Sequence, residues 1–393
     1  MISETAALAA VLAEIFPKPG VRAPLIDSLG RFSARDLRAL RALPPFDNSA
    51  MDGYAVIAAS CREEARLRVV GEQSAGLDLR LTMKAGEAIR IFTGAPMPSG
   101  ADAVLMQEDA TREGETVVVR SAVAEGEFVR RKGCDLASGQ KILTRGDEIN
   151  PQILGLLASQ GIAEIEVGAR PRVSIVATGD ELARLGDMPL PGQIFESNSI
   201  MLQALVLSAG GEVTMVEHAP DRLEPLTEIL RRGLQSDVLI VSGGVSVGDR
   251  DLVKPSLGTL GAKIDLWRVA IKPGKPFLFG RAPGCSIFGL PGNPVSAFVT
   301  FLRFVRPALR KMAGASEENL GLGTATAQLA GDLANGGDRP HYLRGRLHAG
   351  VFTVTGRQES HALFGLSQAN ALLSVEPGEE LAKGASVIVE IFA

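Results

Sequence analysis

The spacing of apolar and polar positions changes period several times along the chain, and each change marks an element. Between Ser3 and Phe16, the residues Leu8, Val11, Leu12 and Ile15 recur at i, i+3, i+4 and i+7, which predicts an amphipathic helix ended by Pro17, Pro19 and Gly20. A second helix is predicted over 34–43, stopped by Pro44 and Pro45. The pattern then shifts to short β-like runs, LRVV, AIRIFTGAP, ADAVLMQE, ETVVVRSAV and EFVRRKGCDL, punctuated by Gly and Pro, which predicts a separate small β domain. Asn150 and Pro151 suit the N-cap and first position of a helix whose apolar face is Ile153, Leu156 and Leu157, with Gly161 just past its end. This helix and the strand AEIEV after it are expected to return to the N-terminal segment, so that the β domain is an insertion between two halves of one domain.

From Arg172 to Ala313, strand patterns alternate with helical ones: VSIVATGDEL, a helix near 199–208, EVTMVEHA, a helix after Asp221, and the β-branched run Val238 to Val241. Such alternation predicts a doubly wound α/β domain, in which ligands bind outside the carboxyl ends of the strands. Beyond a Gly- and Glu-rich linker at 314–323, the runs YLRGRL, VFTVTG, ALLSVEP and SVIVEIF predict a small C-terminal β-barrel. The expected boundaries are 1–43 with 140–170 for an elongated N-terminal domain, 44–139 for the inserted β domain, 171–316 for the α/β domain and 317–393 for the barrel.

Composition narrows the function classes. With 393 residues, 46% hydrophobic and 22% charged, the chain is long enough for several cored domains. A net charge of -4 without a basic tract gives no electrostatic basis for a nucleic-acid partner. Cys61, Cys134 and Cys285 lie far apart and lack metal-ligand spacing, which argues against a disulfide framework or a structural zinc site. No apolar run reaches the roughly 18 residues a membrane span needs. The first apolar stretch contains Glu14 and has no basic leader, so no membrane association and a cytoplasmic location are expected.

The candidate chemistry sits at strand ends. Asp237 to Asp251, DVLIVSGGVSVGDRD, reads as a buried strand feeding a loop in which Gly243, Gly244 and Gly248 let amide N–H groups approach an anion, and Ser242 and Ser246 add hydroxyls. Asp249 and Asp251 follow, carboxylates suited to a hard cation such as Mg²⁺ held against phosphate. Gly-rich turns after strands are common, so this loop alone does not separate a binding loop from a structural turn. Thr178, Gly179, Asp180 and Glu181 follow the first strand of the α/β domain, and His218 and Asp221 the next. One acid after a strand is usually a helix cap, but recurrence after successive strands favours a ligand-facing rim. Lys272 and Lys275 bracket a Pro-Gly turn, and Pro291, Gly292, Asn293 and Pro294 form a strand-to-helix junction where free N–H groups meet a helix dipole. In the β region, Asp47, Asn48, Ser49 and Asp52 crowd beside Met51 and Tyr54, a mixture suited to lining a pocket.

Taken in order, PPFDNSAMDGYAV, FTGAP, ATGDEL, SNS, SGGVSVGDRD, IKPGKP and GLPGNPVSA resemble the molybdopterin molybdenumtransferase family, the MoeA-like proteins related to the E domain of gephyrin, over nearly the whole chain. The resemblance implies a four-domain homodimer that takes adenylylated molybdopterin and molybdate, inserts the metal into the dithiolene and releases AMP with Mg²⁺ present, with a molybdopterin adenylyltransferase as a candidate donor of the substrate. It implies functional roles for Asp52, Thr93, Asp135, Glu181 and Asp221, for Lys272, Lys275, Pro291 and Pro294, and for Asp251 with Asp249 at the metal. It also implies that a twofold axis lets the β region of one chain cover the α/β pocket of the other. Two departures stand out: Cys134 replaces the usual acid before Asp135, and QESHAL at Gln358 replaces a QGSG pattern in a domain not expected to do chemistry. A non-catalytic molybdopterin carrier with the same fold remains an alternative, whereas a P-loop phosphoryl or nucleotidyl transferase lacks its GxxxxGK[ST] signature.

Overall fold

The computed structural model describes residues 1–245 and 252–392, so Ser246, Gly248, Asp249 and Asp251 lie outside the described residues. Two compact units divide the chain. One comprises Met1–Arg35, Arg145–Ala158 and Ile162–Ala393; the other comprises Asp36–Thr144 with Ser159–Gly161.

The first unit is built on a six-stranded sheet made of β1 (Arg172–Thr178), β2 (Glu212–Ala219), β3 (Val238–Ser242), β4 (Lys263–Trp267), β5 (Leu278–Ala282) and β6 (Cys285–Leu290). Its spatial order is β2-β1-β3-β6-β5-β4. The first four strands in that order run parallel, and β5 and β4 add an antiparallel edge. The run Val238–Val241 is wholly apolar because the sheet is covered on both faces. Val238 and Ile240 join a core with Leu202 and Val206 of helix α1 (Asn198–Ser208) and with Ala7 and Val11 of the N-terminal helix Glu4–Ala13. Leu239 and Val241, turned the other way by the two-residue period, pack with Leu226 and Leu230 of α2 (Leu223–Gly233) and Val253 and Leu257 of α3 (Val253–Thr259). The chain leaves β1 toward β2 on one side and returns as β3 on the other, so the gap between β1 and β3 is the topological switch point at which such sheets bind ligands.

The same unit holds the N-terminal pieces and the barrel. Strand Gly20–Pro24 pairs antiparallel with Glu164–Gly168, so the segment after the β region does return to the N-terminal one. Helix Pro151–Ser159 starts where Asn150 Oδ1 accepts the Ile153 N–H at 2.9 Å, as the cap pattern predicts. The C-terminal strands Gly323–Leu329, Val351–Val354, His341–His348, Ala371–Val375 and Ser386–Ile391 close into a five-stranded barrel filled by Leu343, Phe352, Leu373 and Val389.

The second unit is a six-stranded sheet in the order Ala103–Met106, Gly53–Val56, Glu87–Ile91, Arg66–Gln73, Thr116–Val119, Ala110–Glu113. The helix expected over 34–43 is not formed. Leu37–Arg38 is a strand paired with Lys141 and Leu143, Ala34 N–H goes to the Glu166 carbonyl, and Ala39 N–H goes to that of Gln140. Partners distant in sequence claim the donors that a helix would use internally, and tertiary pairing overrides a modest local propensity.

Candidate functional site

At the switch point the loops after β1, β2, β3 and β6 enclose a cavity of about 710 Å³. Thr178, Glu181, Asp221, Ser242, Gly243, Gly244 and the junction Pro291–Pro294 line it, together with Ile194 and Phe195. Of the residues expected at the site, all of these strand-end groups are therefore brought together. Each loop is held by another. Thr178 Oγ1 donates to Asp221 Oδ1 at 2.8 Å, and Asp221 N–H donates to Asp180 Oδ1 at 3.1 Å. Gly243 has a φ of +90°, and a Cβ there would stand 2.6 Å from the Thr178 carbonyl oxygen, so only glycine lets the β3 loop lie against the β1 loop. The Glu181 carboxylate has no hydrogen-bond partner among the described residues and is exposed at the cavity wall.

The junction before helix α4 (Pro294–Thr300) does not offer its first amide freely. Val295 N–H donates to the Ser360 carbonyl at 3.1 Å, and Asn293 Nδ2 donates to Ser360 Oγ at 2.9 Å. Ser360 belongs to the QESHAL loop of the barrel, whose His361 and Leu363 also line the cavity. This corrects the expectation that the QESHAL departure falls away from the chemistry. The loop is held from behind by Arg344, a wholly buried side chain that donates to the carbonyls of Arg357 (2.6 Å) and Glu359 (3.2 Å).

Lys272 and Lys275 do not line the cavity, although Pro276 beside them does. Both are exposed, and neither ammonium has a hydrogen-bond or ion-pair partner among the described residues. Their turn is stitched to the barrel: Lys272 N–H donates to the Pro340 carbonyl, and Tyr342 N–H donates to that of Lys272. Burial, helped by the charges of Lys272 and Arg344, pushes the neighbouring His341 imidazole down to about 4.

In the other unit, the pairing of Gly53–Val56 with Glu87–Ile91 sets Asp52 beside Thr93. Gly53 is required there, since a Cβ would stand 2.0 Å from the Leu105 carbonyl oxygen. Thr93 gives both its N–H (2.7 Å) and its O–H (2.8 Å) to Asp52 Oδ1. Those bonds, backbone first, hold the Asp52 carboxyl below the usual range, with a smaller contribution from the Arg90 charge. Asp135 lies exposed in the loop that Asp47 organises by accepting from Lys132 N–H (2.7 Å) and Arg131 Nη1 (2.8 Å). Cys134 is a free, exposed thiol.

Sequence reasoning missed Asn198, Glu196, Ser360, His361 and Phe195 as cavity residues. Only the SNS motif at the start of α1 hinted at Asn198; nothing along the chain ties 360 to 293. Among the described residues no group of three or more His, Cys, Asp or Glu side chains is placed to hold a metal ion.

A doubly wound domain with an amide-lined crevice at its switch point, rimmed by carboxylates and walled by a barrel loop, defines a protein that takes an anionic, heterocycle-bearing ligand. Comparison with known proteins makes this specific. Residues 2–161 match the MoeA N-terminal region (domain I and II), 174–311 the probable molybdopterin binding domain, and 326–392 the MoeA C-terminal region (domain IV). The chain is 38% identical to the molybdopterin molybdenumtransferase of Nostoc sp., covering 92% of this chain and 86% of that one. It is also 38% identical to molybdopterin molybdenumtransferase 2 of Mycobacterium tuberculosis, covering 94% of each. The crystal structure of the molybdopterin biosynthesis moeA protein from Pyrococcus horikoshii OT3 superposes with a TM-score of 0.87 at 30% identity over 100% of both chains. The chain belongs to the molybdopterin molybdenumtransferase family, the one its motifs resemble.

Proposed function

We propose that this chain is the transferase that inserts molybdenum into molybdopterin during molybdenum cofactor biosynthesis, taking adenylylated molybdopterin and molybdate and releasing AMP. The observation that carries the reading is the cavity at the switch point, in which hydroxyl and backbone groups of Ser242, Gly243 and Gly244 face the junction Pro291–Pro294 across a space of about 710 Å³. The volume suits a pterin with a nucleotide attached. Leu182, Ile194 and Phe195 offer an apolar wall for the heterocycle, and the loop amides suit its phosphates. Lys272 and Lys275 bring uncompensated positive charge on the turn leading to Pro276, which favours the anions. Asp52, Thr93, Asp135, Glu181 and Asp221 are the proposed catalytic set; positioning the pyrophosphate and the oxyanion is the main contribution required of them.

Magnesium is the proposed cofactor. Asp221 keeps acceptor capacity beyond its bonds to Thr178 and Asp180, and Glu181 has a carboxylate without a partner, so both fit a hard cation that prefers oxygen. Asp251 and Asp249 complete the proposed ligand set by sequence. When bound, the ion would offset the repulsion between these carboxylates and the substrate phosphates. The chain is further proposed to work as a cytoplasmic homodimer supplied by a molybdopterin adenylyltransferase; among the described residues, no helix is long and apolar enough to cross a membrane. Elemental analysis of the pterin product tests the reading. Molybdenum recovered on molybdopterin in step with AMP supports it, and adenylylated molybdopterin bound but unchanged in the presence of molybdate and Mg²⁺ makes the protein a carrier instead.

A further inference from the structure

Asn198 opens helix α1 and is 8% exposed, yet it lines the cavity. Its Nδ2 donates twice, to Ser242 Oγ at 2.9 Å and to the Gly292 carbonyl at 2.7 Å. The second bond fixes the amide chemically, because a carbonyl oxygen only accepts, so the nitrogen and not the oxygen must face Gly292. One side chain therefore ties the loop after β3 to the junction after β6. The same constraint leaves Oδ1 turned away from both loops, buried and without a hydrogen-bond partner. A buried acceptor without a donor is an unfavourable arrangement that folding alone gives no reason to retain. The neighbouring acids do not meet its need: Glu196 Oε1 already accepts the Ser199 N–H at 2.9 Å, and an ionised carboxylate has no proton to give.

We infer that Asn198 is a specificity residue of this cavity: its Oδ1 accepts a hydrogen bond from a neutral N–H or O–H group of the bound molecule. This rests on the reading of the cavity as the site for adenylylated molybdopterin and adds a discrimination to it. Phosphate and molybdate oxygens are acceptors and would be repelled at that atom, whereas two parts of the substrate carry donors, the pterin ring edge and the nucleoside with its ribose hydroxyls. Asn198 thus helps to orient the ligand, drawing a neutral end inward and leaving the anionic groups to the glycine loops.

The test is calorimetric binding of AMP, molybdopterin and inorganic pyrophosphate to the full chain, comparing the parent with Asn198→Ala and with Ser242→Ala, which loosens the tie between the loops without touching Oδ1. The inference expects Asn198→Ala to weaken either AMP or molybdopterin by about tenfold more than Ser242→Ala does, the lost bond being of that order, while pyrophosphate responds equally to both changes. Whichever of AMP and molybdopterin responds identifies the donor. Equal weakening of all three probes in the two variants would reduce Asn198 to a structural tie and overturn the inference. Should Asn198→Ala fail to fold, the parent protein decides alone: AMP against its 2′,3′-dideoxy analogue, and molybdopterin against a ring N-methylated pterin. Loss of about tenfold for one modified ligand supports the inference, and no loss for either overturns it. These bindings are read without turnover, so absence of AMP release would count against the proposed reaction while leaving the discrimination separately measurable.

Discussion

The polar groups of the α/β crevice come from four strand ends and a barrel loop, joined across long stretches of chain: Thr178 to Asp221, Asn198 to Ser242 and Gly292, Asn293 to Ser360. In the β-rich unit, one antiparallel pairing is enough to set Thr93 against Asp52, and the pair is open to solvent. The crevice is thus an assembly in which each loop is part of its neighbour's support, while the Asp52 corner is a local device that tunes one carboxylate. Substitutions should differ accordingly. In the crevice and behind it they should disturb binding, turnover and stability together; at the Asp52 corner they should change electrostatics and leave the fold alone.

The largest expected effect is that of Glu181→Gln, which keeps shape and removes the one cavity carboxylate that no neighbour engages. AMP release should fall by about a hundredfold or more, the usual scale for losing a catalytic carboxylate, with the melting temperature unchanged. A fall of less than threefold would take Glu181 out of the chemistry. Next is Arg344→Leu, which removes the hold on the Arg357 and Glu359 carbonyls. Its cost to stability should be about 2–3 kcal/mol, as for hydrogen bonds to a charged group, and substrate affinity should drop as well, because Ser360 and His361 lose their support. Lost stability with intact affinity, read by denaturant titration alongside calorimetry, would show that the barrel loop is not a working wall of the cavity.

Lys275→Ala should weaken molybdopterin binding by about one to two decades through loss of a charge-assisted contact, without a change in melting temperature. Unaltered affinity would remove this lysine from the site. The smallest expected effect is at the Asp52 corner. Thr93→Val deletes the O–H bond but keeps the N–H, so the Asp52 carboxyl should rise part of the way back to its ordinary value, as followed by carboxyl NMR titration. The sign follows from linkage: a folded-state carboxyl held low binds fewer protons than the unfolded chain near pH 4, so its contribution is present above the ordinary value of about 3.9 and is lost as pH falls through the depressed one. In the variant that loss should begin at higher pH, and an unshifted titration would contradict the hydrogen-bond account.

The same contrast explains what the sequence let one read. Strand-and-helix alternation, the Asn150 cap and the barrel strands are written in local periods, and the structure bears them out. The MDGY and FTGAP motifs are short-range devices and are visible as such. Arg344, Ser360 and His361 are invisible along the chain, because their role follows only from closure of the barrel and its packing against the β6 junction. Asn198 was quoted within SNS but left without a role, since an asparagine opening a helix ordinarily reads as a cap. The 34–43 segment misled for the converse reason: its apolar spacing suits a helix, but Lys141, Leu143 and Glu166 take up its backbone.

The central claim is that the crevice couples cleavage of the adenylyl group to the arrival of the oxyanion. The most direct test is single-turnover AMP release from adenylylated molybdopterin with Mg²⁺, measured with and without molybdate, for the parent and Glu181→Gln in parallel. The account predicts rapid stoichiometric AMP from the parent when molybdate is added, and at least about a hundredfold slower release from the variant under the same conditions. AMP that appears equally fast without molybdate, or equally fast from the variant, would contradict it.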